Sequence, residues 1–240
     1  SIISLEEIPR VADLAVEIAK GSASLAITKV HLAPEPVHRD RIVTPSRLDP
    51  FAVPLEEQTA LLLSTMDIIQ RHPGVVRSHA SLWAQRDRKL FVSTEGSHLE
   101  FDLLAMQGDC TATAVHNGRF ASRSFNTPHL RTGYELVRDA DWVREGARIA
   151  EQAVEKVRAP AIDAGRYDLV LDPEHLSLTM HESCGHPSEL DRALGYEANY
   201  AGTSFLTPDK RGTYRYGSAD VNLVADNTEP GTLAATGYDD

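Results

Sequence analysis

The stretch YDLVLDPEHLSLTMHESCGH, from Tyr167 to His186, decides how the chain is read. A short apolar run, Leu169 to Leu171, leads into Asp172 and Pro173. Asp is a good helix N-cap, and Pro fits the first helical position, where a missing N–H costs nothing. The spacing therefore predicts a helix that begins at Pro173 and carries His181, Glu182 and His186. Two imidazoles with a carboxylate beside the first are the material of a zinc hydrolase: nitrogen ligands, and a general base for water.

Histidines four apart share one face of an α-helix. Here they are five apart, which leaves them roughly 140° apart at about 100° per residue. Side chains so placed do not meet one zinc ion at about 2.0–2.1 Å. The helix is expected to break or widen between them; a single π-type turn would realign positions i and i+5. Gly185 is the residue expected to tolerate that excursion. The competing reading is a buried helix with two hydrogen-bonded histidines. Glu189 and Asp191 follow closely; either is an ordinary surface carboxylate, an orienting partner for a ligand histidine, or, for Glu189, a group near the metal. Cys184 lies three residues after His181 and is weighed as a further ligand against the commoner role of a small apolar residue.

HESCGHPSELDRALGYEANYAGTSF, His181 to Phe205, resembles the metal-site segment of the TldD/PmbA family of metallopeptidases, the modulators of DNA gyrase. The features that carry the likeness are H-E-x-x-G-H, Glu189, and Ala201-Gly202-Thr203-Ser204. Lys89 to Ala114 also resembles that family's N-terminal β-region. The resemblance implies a zinc metallopeptidase acting on peptides or unfolded polypeptides in the cytoplasm, with His181 and His186 as zinc ligands and Glu182 as the base. It implies a catalytic subunit in a homodimer, or in a heterodimer with a related PmbA-like subunit. It also implies a protein about twice this length, so both ends are expected to be missing. The family's third ligand, a cysteine, is then expected beyond residue 240. The alternative is a non-catalytic protein-binding scaffold or partner subunit, the site being incomplete.

Composition bounds the rest. The chain has 240 residues, 42% hydrophobic and 25% charged, as in an ordinary globular protein. A formal net charge of −11 argues against direct nucleic-acid or anionic-membrane binding. Two cysteines, Cys110 and Cys184, make no disulfide framework, and a reducing cytosol is expected. No apolar run has the length of a membrane span.

The expected fold class is α+β: an antiparallel sheet with packed helices, followed by the start of a second, β-rich domain carrying the metal-site helix. The domains are read as 1–162 and 163–240, with the boundary in the linker Pro160 to Gly165. A capping box at Ser4 and Glu7 opens a first helix whose core-facing stripe includes Ile8, Val11, Leu14 and Ile18, with Gly21 as its stop. Leu25 to Leu32 reads as a strand. Helices are expected over Leu55 to Arg71 and Trp142 to Arg158, the latter capped by Asp139 or Asp141. Val75 to Phe125 reads as a meander of about five strands, with turns at Asp87-Arg88, Glu95-Gly96, Gly108-Asp109 and Asn117-Gly118. Thr213 to Val224 reads as a strand, with Tyr214, Tyr216, Val221 and Leu223 as its apolar members.

Overall fold

A computed structural model describes residues 4–26 and 34–238. In chain order it has α1 (Glu7–Leu25), β1 (Arg39–Val43), α2 (Leu55–Gln70), β2 (Val75–Val92), β3 (His98–His116), β4 (Arg119–Asn126), α3 (Glu135–Arg138) and α4 (Trp142–Arg158). Then come α5 (Pro173–Met180), a π turn (His181–Gly185), α6 (His186–Ser188) and α7 (Leu190–Ala193). The class is mixed α+β. The sheet order is β1-β3-β2, with β4 also on β3. It is a mixed sheet: β1 runs parallel to β3, with Arg39 opposite His98 and Val43 opposite Asp102, while β3 and β4 are antiparallel.

The expected five-strand meander is three long strands. Asp87-Arg88 and Gly108-Asp109 lie inside β2 and β3 and make no turn. Asn117-Gly118 does turn the chain: its φ values of 49° and 74° suit the tight hairpin between β3 and β4. Residues 213–224, expected to be a strand, carry no strand, nor does any described residue after 163. The expected strand from Leu25 to Leu32 lies largely outside the described residues, and its first residue, Leu25, ends α1.

Two compact units emerge. One comprises Ser1–Val43 and Asp87–Asp102. In it, Ser4 Oγ accepts the Glu7 amide at 3.2 Å, the expected cap of α1. The helix runs through Gly21 rather than stopping there. Its apolar stripe is not core-facing: Ile8, Val11, Leu14 and Ile18 are all exposed, and α1 has no buried residue. Helical periodicity specifies a face but not what covers it.

The second unit, Thr44–Arg86 and Leu103–Asp240, holds the main core. On β3, Cys110, Ala112 and Ala114 are fully buried. Thr111 and Thr113 point the other way and bond across to Ser124 and Ser122 at 2.8 and 2.9 Å. The small buried residues admit α4, which packs on β4 and α2 with Ile149, Ala150 and Ala153 inward. Asp141 caps α4, its side chain accepting the Arg144 amide at 3.1 Å. Gly108 is a close approach, since a Cβ there would sit 2.8 Å from the Trp142 ring. The indole NH of Trp142 donates to the Val137 carbonyl at 2.6 Å.

Two carboxylates, Glu135 and Glu145, are buried in this unit, and Glu135 fixes the segment that precedes α2. It accepts the amides of Arg47 and Leu48, both at 3.0 Å, and the Thr132 hydroxyl at 3.1 Å. Burial alone would raise its pKa, but these donors outweigh burial and lower it from 4.5 to about 2. The ionised form therefore stabilises the fold at pH values above its unfolded pKa, and that contribution disappears as pH falls through the folded value. Glu135→Ala leaves two partly buried amides without their partner, a loss of about 2 kcal/mol. Urea unfolding of wild type and Glu135→Gln checks the sign: the wild type's advantage shrinks between pH 4.5 and 2 and is constant at neutral pH.

Candidate metal centre

Asp172 caps α5, accepting the Glu174 amide at 2.9 Å, and Pro173 occupies the first turn as expected. Asn126 of β4 donates to Glu174 at 2.9 Å, tying the start of α5 to the sheet edge. The helix continues to Met180 and then widens. From His181 to Gly185 the winding is π, with the His186 amide bonded to the His181 carbonyl, an i to i+5 bond.

The local sequence gives two reasons for that widening. Pro187 has no N–H, and in a regular α-helix its ring would press on the carbonyl four residues earlier, that of Ser183. An extra residue in the turn relieves this. Gly185 contributes in a way its usual freedom does not suggest. Its φ of −59° is ordinary helical backbone. Space is what requires it: a Cβ at Gly185 would lie 3.2 Å from His181 Nδ1.

The π turn brings the two imidazoles together, with ring centroids 4.2 Å apart and planes at 64°. Glu182 Oε2 lies 3.8 Å from His186 Nε2. One donor atom each from His181, Glu182 and His186 all fall within 4.8 Å of one another. Tetrahedral zinc with bonds of about 2.1 Å needs ligands roughly 3.4 Å apart, so a small inward movement suffices. Imidazole and carboxylate donors suit that metal. His181 and Glu182 are exposed and His186 is half-buried, so the group is open to a bound molecule.

Glu189 takes the orienting position. Its Oε1 is 2.7 Å from His186 Nδ1, and its Oε2 is 3.1 Å from Arg192 Nη2. The hydrogen bond from His186 and the nearby Arg192 charge hold the Glu189 carboxyl below the usual carboxylate range. An ionised carboxylate only accepts, so Nδ1 is the donor in this contact, and Nε2 is the nitrogen that faces Glu182. Arg192 in turn lies 3.8 Å from Glu197.

Other residues fall differently. Cys184 is not part of the donor group; it neighbours the hydroxyl of Tyr216. Tyr216 is one that periodicity misplaced, as an apolar strand residue. Its hydroxyl donates to the Ser183 carbonyl at 2.6 Å. Ser204, in the Ala201-Gly202-Thr203-Ser204 stretch, donates to the Pro187 carbonyl at 2.5 Å. Pro187 is the sequence signal that a helper is needed here, but nothing local names the helper. His79, His98 and His116 are exposed on β2 and β3 and are not members of this donor group. A tautomer measurement checks the Glu189 contact. Nitrogen-15 shifts of His186 should report protonation at Nδ1 in the wild type, and Glu189→Ala should remove that bias.

No protein-family model matches the chain. It is similar to Metalloprotease MJ0996 of Methanocaldococcus jannaschii, with 24% identity over 242 residues, covering 100% of this chain and 51% of that protein. It is similar to Metalloprotease slr0863 of Synechocystis sp., with 27% identity over 211 residues, 87% of this chain and 43% of that protein. A metalloprotease of Methanothermobacter thermautotrophicus is 27% identical over 191 residues, 79% of this chain and 41% of that protein. The chain spans about half the length of the curated relatives it matches. All three bear the name metalloprotease, and each is similar to this chain along most of its length.

Proposed function

We propose that the chain belongs to a zinc-dependent metallopeptidase of the HExxxH type that hydrolyses peptides or unfolded polypeptides. The observation that carries this is the π turn, which gathers His181, Glu182 and His186 donors within 4.8 Å. The relatives' shared name supports the protease class. The finer likeness, to the catalytic subunit of the TldD/PmbA family, is part of the same proposal. So are a cytoplasmic location and assembly as a homodimer or with a PmbA-like partner. Among the described residues no helix is long and apolar enough to cross a membrane.

His181 and His186 would hold the metal through neutral imidazoles. Bound there, zinc would supply Lewis acidity toward the scissile carbonyl and a water whose pKa is lowered to about 7. Glu182 takes the proton from the attacking water and passes it to the departing amine. Glu189 keeps His186 in the tautomer that presents Nε2. Catalytic zinc commonly takes three protein ligands, and two imidazoles leave one to be supplied, for which a cysteine outside these 240 residues is proposed.

The incomplete ligand set also motivates the second reading, a non-catalytic scaffold that binds a protein partner. That reading predicts substoichiometric zinc and no chelator-sensitive hydrolysis. For the full-length protein the metallopeptidase reading predicts one zinc per site, lost in His181→Ala and His186→Ala. Glu182→Gln should keep the zinc and lower kcat by about 10²- to 10⁴-fold. Full activity in that zinc-loaded variant would defeat the role given to Glu182.

A further inference from the structure

We propose that Tyr216 is a positioning residue for this centre: its hydroxyl holds open the π turn that makes His181 and His186 converge. The inference rests on the metal reading above and adds a part to it.

A π turn inside a helix is a minority winding that needs support from its surroundings. Its weak point here is the Ser183 carbonyl. In a regular helix that oxygen would accept the amide of residue 187, but residue 187 is proline and has none. Ser183 is exposed, so water can take that oxygen, but only a partner fixed elsewhere in the fold restrains the turn. The Tyr216 hydroxyl fills that role, donating at 2.6 Å from 33 residues away.

Tyr216 is itself held. Its ring stacks on Phe205, with centroids 5.6 Å apart and planes at 14°. Phe205 also meets Tyr214 edge-on at 6.4 Å. One residue before Phe205, Ser204 takes the Pro187 carbonyl at 2.5 Å. The segment after α7 therefore grips the interrupted helix at two carbonyls, Ser183 and Pro187, on either side of Gly185 and His186. The Ser183 grip is the one inside the π turn. Loss of the phenol hydroxyl leaves the turn free to fray, which would let the imidazoles move apart.

The test uses the full-length protein, with zinc affinity read by competition against a chromogenic chelator. Tyr216→Phe keeps the ring and its stacking and removes only the hydroxyl. Its zinc affinity should fall roughly tenfold, as expected when a partner outside the ligand shell is lost. The melting temperature of the zinc-free protein should stay close to wild type. With cobalt(II) in place of zinc, the visible absorption of the variant should differ from wild type, reporting altered ligand geometry. Pro187→Ala gives a second measurement. It returns an amide to Ser183, so Tyr216→Phe should cost clearly less affinity in that background. An unchanged affinity and cobalt spectrum in Tyr216→Phe, or an equal loss in both backgrounds, overturns the inference while leaving the metal reading intact. Full zinc binding by His186→Ala would instead remove the metal reading, and this inference with it.

Discussion

One backbone hydrogen bond sets the candidate site: the amide of His186 to the carbonyl of His181. Made at i to i+5 instead of i to i+4, it turns a pair of histidines that regular winding would hold apart into neighbours. Everything around it serves that bond. Pro187 makes regular winding unfavourable, Gly185 leaves room for the His181 ring, and Glu189 holds His186 from the far side. The carboxylate of Glu182 enters the group because it directly follows the first histidine.

The site leans on a framework made of ordinary parts. Small side chains on β3 let α4 lie close against the sheet, and Glu135 secures the chain before α2. β4 is where the framework meets the site, through Asn126 and Glu174. Residues 163–238 form no strand, and many of their large apolar side chains are exposed: Val170, Leu190 and Tyr200 among them. Order there comes from short turns, hydroxyl-to-carbonyl bonds and the aromatic group of Phe205, Tyr214 and Tyr216.

Much of this was legible in the sequence, for local reasons. Asp141 and Asp172 marked helix starts because a cap acts on amides two or three residues away. Asn117-Gly118 marked a hairpin because both residues tolerate positive φ. The π turn followed from a count of residues between two histidines. What failed depended on distant partners. Gly108-Asp109 resembles a turn, yet glycine is there to admit the Trp142 ring. The stripe of α1 was well patterned, but pattern does not state burial. β1 pairs parallel to β3 across more than fifty residues, and no short-range signal encodes that. Tyr216 likewise reads as one more aromatic in an alternating run, and only the fold reveals what its hydroxyl meets.

The central claim is that a widened turn lets both imidazoles bind one metal ion. X-ray absorption at the zinc edge of the zinc-loaded full-length protein addresses it most directly. The account predicts two imidazole nitrogens at about 2.0–2.1 Å, with one lost in His181→Ala and one in His186→Ala. A first shell without imidazole, or one that neither substitution alters, would contradict it.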